Sequence, residues 1–166
     1  MATTSSVSAV AGPLASIFAT NDGFINRSIG GLTEDDLWHR PTDQSNPMFW
    51  LLGHVVHTRG AALRILGDDF RTGWGDKFQR GAALQDRNAY PAFSEVERFR
   101  SETRERLAAR LATVTDEYLA HDASGHALPN CRTVADQIAF LGLHEAYHVG
   151  QLAYVRKMLG HSGIVG

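Results

Sequence analysis

The sequence predicts an all-α fold, a four-helix bundle with a long crossover between its second and third helices. Three observations carry that prediction. Apolar residues recur every three to four positions through four separate stretches, glycine, proline and capping residues punctuate them, and no strand-like alternation or internal repeat interrupts them. At 166 residues the chain suits one domain over residues 1–166, long enough to bury a core without disulfide or metal staples.

Residues 1–11 begin with small polar side chains and are expected to fray. Pro13 suits a first helical turn, and Leu14, Ile17, Phe18, Phe24, Ile25 and Ile29 then draw the apolar stripe of helix one. Asn21 interrupts that stripe, either reaching toward a central site or facing solvent. Gly30 and Gly31 stop the helix, and Thr33-Glu34-Asp35-Asp36 starts a short helical turn before Pro41, with Trp38 as its anchor to the core.

Helix two has a start signal in Ser45 or Asn46 as N-cap and Pro47 at the first helical position, and it runs to about Gly67. Arg59 and Arg64 mark its wetter side. From 68 to 93 the helical pattern gives way to Gly73-Trp74-Gly75, Arg80-Gly81 and Tyr90-Pro91. A connection this long in one domain tends to be a functional loop or a crossover. Trp74, Phe78 and Tyr90 are expected to pack over the bundle or against a second subunit.

Helix three opens on the capping box Ser94-Glu95-Val96-Glu97 and carries Val96, Phe99, Thr103, Leu107, Leu111 and Val114. Its mixed charges, from Glu95 to Arg110 and including Arg100, read as a solvated face. Residues 121–132 form a loop with Gly125 and Pro129. Thr133 to Asp136 caps helix four, which stops at Gly160.

A formal charge of -2 leaves no basic footprint, so nucleic acid is not an expected partner. The first twenty residues lack the Lys or Arg of a secretory signal, and no apolar run is long enough to span a bilayer, so neither export nor a membrane is expected. The single cysteine, Cys131, fits a reducing cytosol and equally a secreted protein that needs no bridge. Together these features predict a soluble, cytoplasmic protein.

The chemistry concentrates in His144-Glu145-Ala146-Tyr147-His148-Val149-Gly150-Gln151. Two histidines four apart lie one helical turn from each other on one face, a metal-ligand spacing. They continue the stripe of Val134, Ile138, Leu141, Leu152, Val155 and Leu159, so both should face inward, where imidazoles without a shared ion or other partners would be left unsatisfied. His54, surrounded by Trp50, Leu51, Val55, Ala61 and Ile65, should point to the same core as a third ligand. His57, one turn on, is a neighbour of the site or an exposed residue. Three neutral imidazoles leave open positions on a divalent ion, as catalytic centres require. Glu145 is the candidate catalytic residue, a base beside the site, or else it turns toward a dimer partner. Tyr147 and Gln151 are candidate contacts to ligands or substrate.

Trp50-Leu51-Leu52-Gly53-His54 and the His144 to Gln151 block together resemble the DinB-like (YfiT-like) superfamily of metal-dependent bundle proteins, with weaker echoes at Leu32 to Leu37, Arg40-Pro41, Gly81 and Tyr90-Pro91. The resemblance runs from about Gly12 to Gly160. It implies a divalent metal, zinc or nickel, held by His54, His144 and His148, and a homodimer. It also implies a small-molecule substrate, with a low-molecular-weight thiol as co-substrate in S-transferase-type chemistry, or a bundle that binds metal or ligand without catalysis. His144-Glu145-x-x-His148 also matches the zinc peptidase signature, in which the glutamate is the base. Against that metallohydrolase reading, Gln151 and Tyr154 occupy the positions of the glycine and third histidine of metzincins, and nothing acidic follows Glu145.

Overall fold

The computed structural model describes residues 8–123, 128 and 130–165. These residues form six α-helices: α1 (Ala11–Ile29), α2 (Glu34–Trp38), α3 (Met48–Ile65), α4 (Phe93–Thr113), α5 (Asp116–Leu119) and α6 (Val134–Met158), with a 3-10 turn at Arg87–Ala89. No strand occurs among the described residues, only an isolated bridge between Asp122 and Thr133. No described helix is long and apolar enough to cross a membrane.

The long helices α1, α3, α4 and α6 each present a stripe of buried side chains, and α1 and α3 each pack against both α4 and α6. Their directions follow from the residues that meet. Asn21 donates to the Gly142 carbonyl and Arg156 to the Ser28 carbonyl, so α1 and α6 run the same way. Arg59 reaches the Arg100 carbonyl, and Asp68, just beyond α3, pairs with Arg106 and Arg110, so α3 and α4 also run the same way. Parallel neighbours joined in sequence need a connection that returns along their length. Residues 66–92 make that return: Phe70 meets Phe99 edge-on, the Trp74 indole donates to Glu95, and Phe78 lies against Phe49 near the start of α3. Phe70, Trp74, Phe78 and Tyr90 are all buried, so the segment packs on the bundle itself.

Local signals set the starts of α2 and α6. Capping boxes form at Thr33 with Asp36 and at Thr133 with Asp136, each joining side chain and backbone reciprocally. Trp38 stacks on Phe49 with ring centroids 4.4 Å apart. Ser8 is already tied down, its hydroxyl accepting from the Ala11 amide at 2.9 Å, so fraying does not extend through residues 8–11; the rest of that expected frayed end lies outside the described residues. So do Gly125 and Pro129 of the loop before α6.

Several expectations need correction. Neither Ser45 nor Asn46 caps α3; Pro47 is its N-cap, and the Ser45 hydroxyl accepts from the Thr42 amide instead. The capping box at Ser94 does not form, because α4 starts two residues earlier with Ala92 as N-cap, and Glu95 and Glu97 are engaged by Trp74 and Arg100. Helix α5 was not foreseen; the Thr115 hydroxyl accepts from the Tyr118 amide at its start. Above all, Arg59 and Arg100 do not face water. Arg59 is 1% exposed and Arg100 7%.

Candidate metal centre

His54 projects from α3 at the point where the returning segment crosses it. Gly53 makes room, since a Cβ there would run into the Phe78 ring. With that ring seated, the Phe78 carbonyl lies 2.5 Å from His54 Nδ1. A carbonyl oxygen only accepts, so Nδ1 carries the proton and Nε2 presents its lone pair. Trp50, one turn earlier on α3, stacks on His54 with its ring 5.0 Å away and its indole N–H held by the Lys77 carbonyl.

On α6, His148 Nδ1 is 2.6 Å from Gln151 Oε1, and Gln151 in turn donates to the Tyr147 hydroxyl. This orients the ring and again frees Nε2. His144 and His148 face each other with Nε2 atoms 3.2 Å apart. One donor atom from each of His54, His144 and His148 lies within 4.8 Å of the others. His54 and His148 are buried, His144 half-buried. The His144 Nδ1 is a buried nitrogen without a hydrogen-bond partner among the described residues. Two lone pairs converging beside an unsatisfied imidazole fit a cation better than they fit one another.

Burial is the main cause that lowers the proton affinity of all three rings. His54 is pushed down to about 4, and His144 and His148 are lowered too. The Phe78 hydrogen bond opposes the shift at His54, and the neighbouring histidines add to it. The rings are therefore neutral near pH 7, the form in which imidazole ligates. The triad opens on a cavity of about 760 Å³, also lined by Trp50, Leu51, Arg80, Tyr147, Gln151, Val155 and Met158.

Glu145 occupies a different place from the one expected of a base. It is 1% exposed, and both carboxylate oxygens accept from Arg59, at 2.8 Å each. It does not line the cavity. Arg59 also reaches Asp22, which Arg100 contacts at 2.6 Å. Asp22, Arg59, Arg100 and Glu145 thus form a buried network, one residue from each long helix. His57 stacks 6.3 Å from His54 but lines a separate cavity with Arg64 and Arg71. Cys131 is buried away from the triad's cavity.

The network escaped the sequence analysis although its signal was present. Arg59 continues the buried run Leu52, Val56 and Leu63 on α3, and Glu145 continues Ile138, Leu141 and Leu152 on α6. A cation and an anion at core positions of neighbouring helices are a pair of complementary interruptions. The Phe78 carbonyl had no sequence signal, because backbone groups of an irregular segment carry none.

Two predictions follow from these environments. Since the unfolded histidines titrate near 6.5 and folded His54 near 4, the unfolded chain binds more protons between these values. The stabilisation from keeping these rings neutral is complete above 6.5 and is lost as pH falls toward 4. The thermal midpoint of metal-stripped protein should drop over that window, and less steeply in His54→Gln; equal slopes would contradict this. Arg59→Met, which strands the Glu145 carboxylate, should cost about 3–5 kcal/mol in urea unfolding. Adding Glu145→Met should recover part of that loss, and strict additivity would remove the case for a coupled pair.

Comparison with curated proteins found no match. A family model described as the DinB superfamily matches residues 25–152, a span that contains His54, His144 and His148 as well as Arg59 and Glu145. With that model covering most of its length, the chain belongs to the DinB superfamily.

Proposed function

We propose that the chain is a metal-dependent enzyme acting on small molecules, using thiol-dependent S-transferase-type chemistry. The observation that carries this reading is three neutral imidazoles whose donor atoms converge at the floor of a cavity large enough for a small substrate. His54, His144 and His148 would hold the ion. Zinc or nickel held this way keeps open positions and lowers the pKa of a thiol or water that enters them. The Phe78 carbonyl and Gln151 fix two of the ligand rings in the tautomer that ligation needs. Trp50, Leu51 and Val155 line the cavity with apolar surface that limits water beside the reacting atoms.

Glu145 is assigned a positioning role. Its fork with Arg59 ties α6, between the two histidines, to α3, which bears the third. A carboxylate committed in this way is poorly placed to take a proton from water, which weighs against a peptidase-like hydrolase. Metal-loaded protein should contain one zinc or nickel ion per chain by mass spectrometry, and His144→Ala should lose it while its circular dichroism is kept. Loaded wild type should consume a low-molecular-weight thiol together with a chloronitrobenzene electrophile. A folded wild type that takes up no ion would overturn the reading, and an ion without turnover would favour a non-catalytic binding bundle.

We infer in addition that a second copy of the chain covers the exposed face of α6 that borders the cavity. Leu143, Tyr147 and Tyr154 are 69%, 64% and 67% exposed and recur at helical spacing around Gly150, where no heavy atom lies within 4 Å of a Cβ position. Side chains this large are seldom left to water in a contiguous stripe. Sedimentation equilibrium should return a dimer that Leu143→Glu dissociates; a monomeric wild type would refute it.

A further inference from the structure

Charge is distributed unevenly around the triad's cavity. Among the described residues that line it there is no aspartate or glutamate, and Arg80 is the one side chain that carries a charge near pH 7. Arg80 is exposed and has no hydrogen-bond or ion-pair partner among the described residues. This sets it apart from Arg59, Arg87, Arg100 and Arg106, all engaged by carboxylates. It lines the same cavity as His144, His148 and His54.

We propose that the cavity selects ligands carrying a carboxylate, and that Arg80 is the specificity-determining residue that pairs with it. The proposal rests on the three-histidine metal reading above. Three neutral imidazoles leave the full charge of a divalent ion uncancelled, and Arg80 adds another positive charge to the same carboxylate-free space. A thiolate on the ion offsets only part of that charge. A second anionic group on the same molecule offsets more, and a guanidinium fork binds a carboxylate through two parallel hydrogen bonds. Apolar surface from Trp50, Leu51, Val155 and Met158 then suits the rest of the molecule. The preferred ligand is a small carboxylate-bearing thiol with an apolar portion, in place of a neutral or cationic one.

The test is calorimetry on the full chain reconstituted with zinc, with metal content measured in every variant. Wild type should bind 3-mercaptopropionate about tenfold or more tighter than 2-mercaptoethanol, the effect of one charge-assisted hydrogen-bonded pair. Arg80→Gln should bring the ratio near one while zinc content is kept, and Arg80→Lys should keep part of the preference. A second arm uses 3-phenylpropionate against 3-phenylpropanol, which needs no thiol. If neither thiol binds but the phenyl carboxylate shows an Arg80-dependent preference, the thiol chemistry fails and the anion selection stands. If Arg80→Gln leaves the carboxylate preference intact in both arms, or wild type shows none in either, the proposal is overturned.

Discussion

The bundle is organised around four buried charged side chains: Asp22, Arg59, Arg100 and Glu145, one from each long helix. Two cations and two anions at this depth are tolerable only together, because any one left alone would bear its desolvation cost without compensation. Apolar stripes of similar composition can slide or rotate past one another at modest cost, whereas a guanidinium fork admits one register. The Arg59 fork on Glu145 therefore fixes α6 against α3 in rotation and in height. Glu145 lies directly after His144 and three residues before His148, so the same contact sets where both rings arrive relative to His54.

The second organising feature is the segment that returns between α3 and α4. It has little regular structure, yet Phe70, Trp74, Phe78 and Tyr90 bury their rings along the way and hold its backbone in place. One consequence is the Phe78 carbonyl at His54 Nδ1, made possible by the missing side chain at Gly53. A second is Arg80, two residues further on, at the edge of the same cavity. A connection needed by topology thus also supplies a partner that orients one histidine and an arginine of the cavity wall.

Much of this was legible in the residues, and the parts that were not share a cause. The four long helices and the convergence of His54, His144 and His148 followed from periodicity, because burial repeats with the helical turn. Caps were legible where reciprocal side-chain and backbone bonds form, at Thr133, and misleading at Ser94, where the helix already starts at Phe93 and Arg100 holds the Glu97 that would close the box. Arg59 and Arg100 were assigned to water because a lone charge normally belongs there. The place of Arg59 in the buried run of α3 was the one local sign against that assignment, and which partners it meets is a tertiary fact. Asn21, left open by its sequence context, is buried for the same kind of reason, its amide donating to the Gly142 carbonyl where α1 and α6 approach closely.

What remains central is the claim that imidazoles from two helices share one cation. X-ray absorption at the metal edge of the nickel- or zinc-loaded full chain addresses it without reference to any substrate. The account predicts three imidazole nitrogens, at about 2.0–2.1 Å for zinc, completed by light atoms from solvent. A first shell with a protein sulfur, or with fewer than three imidazoles while His54, His144 and His148 are intact, would contradict it.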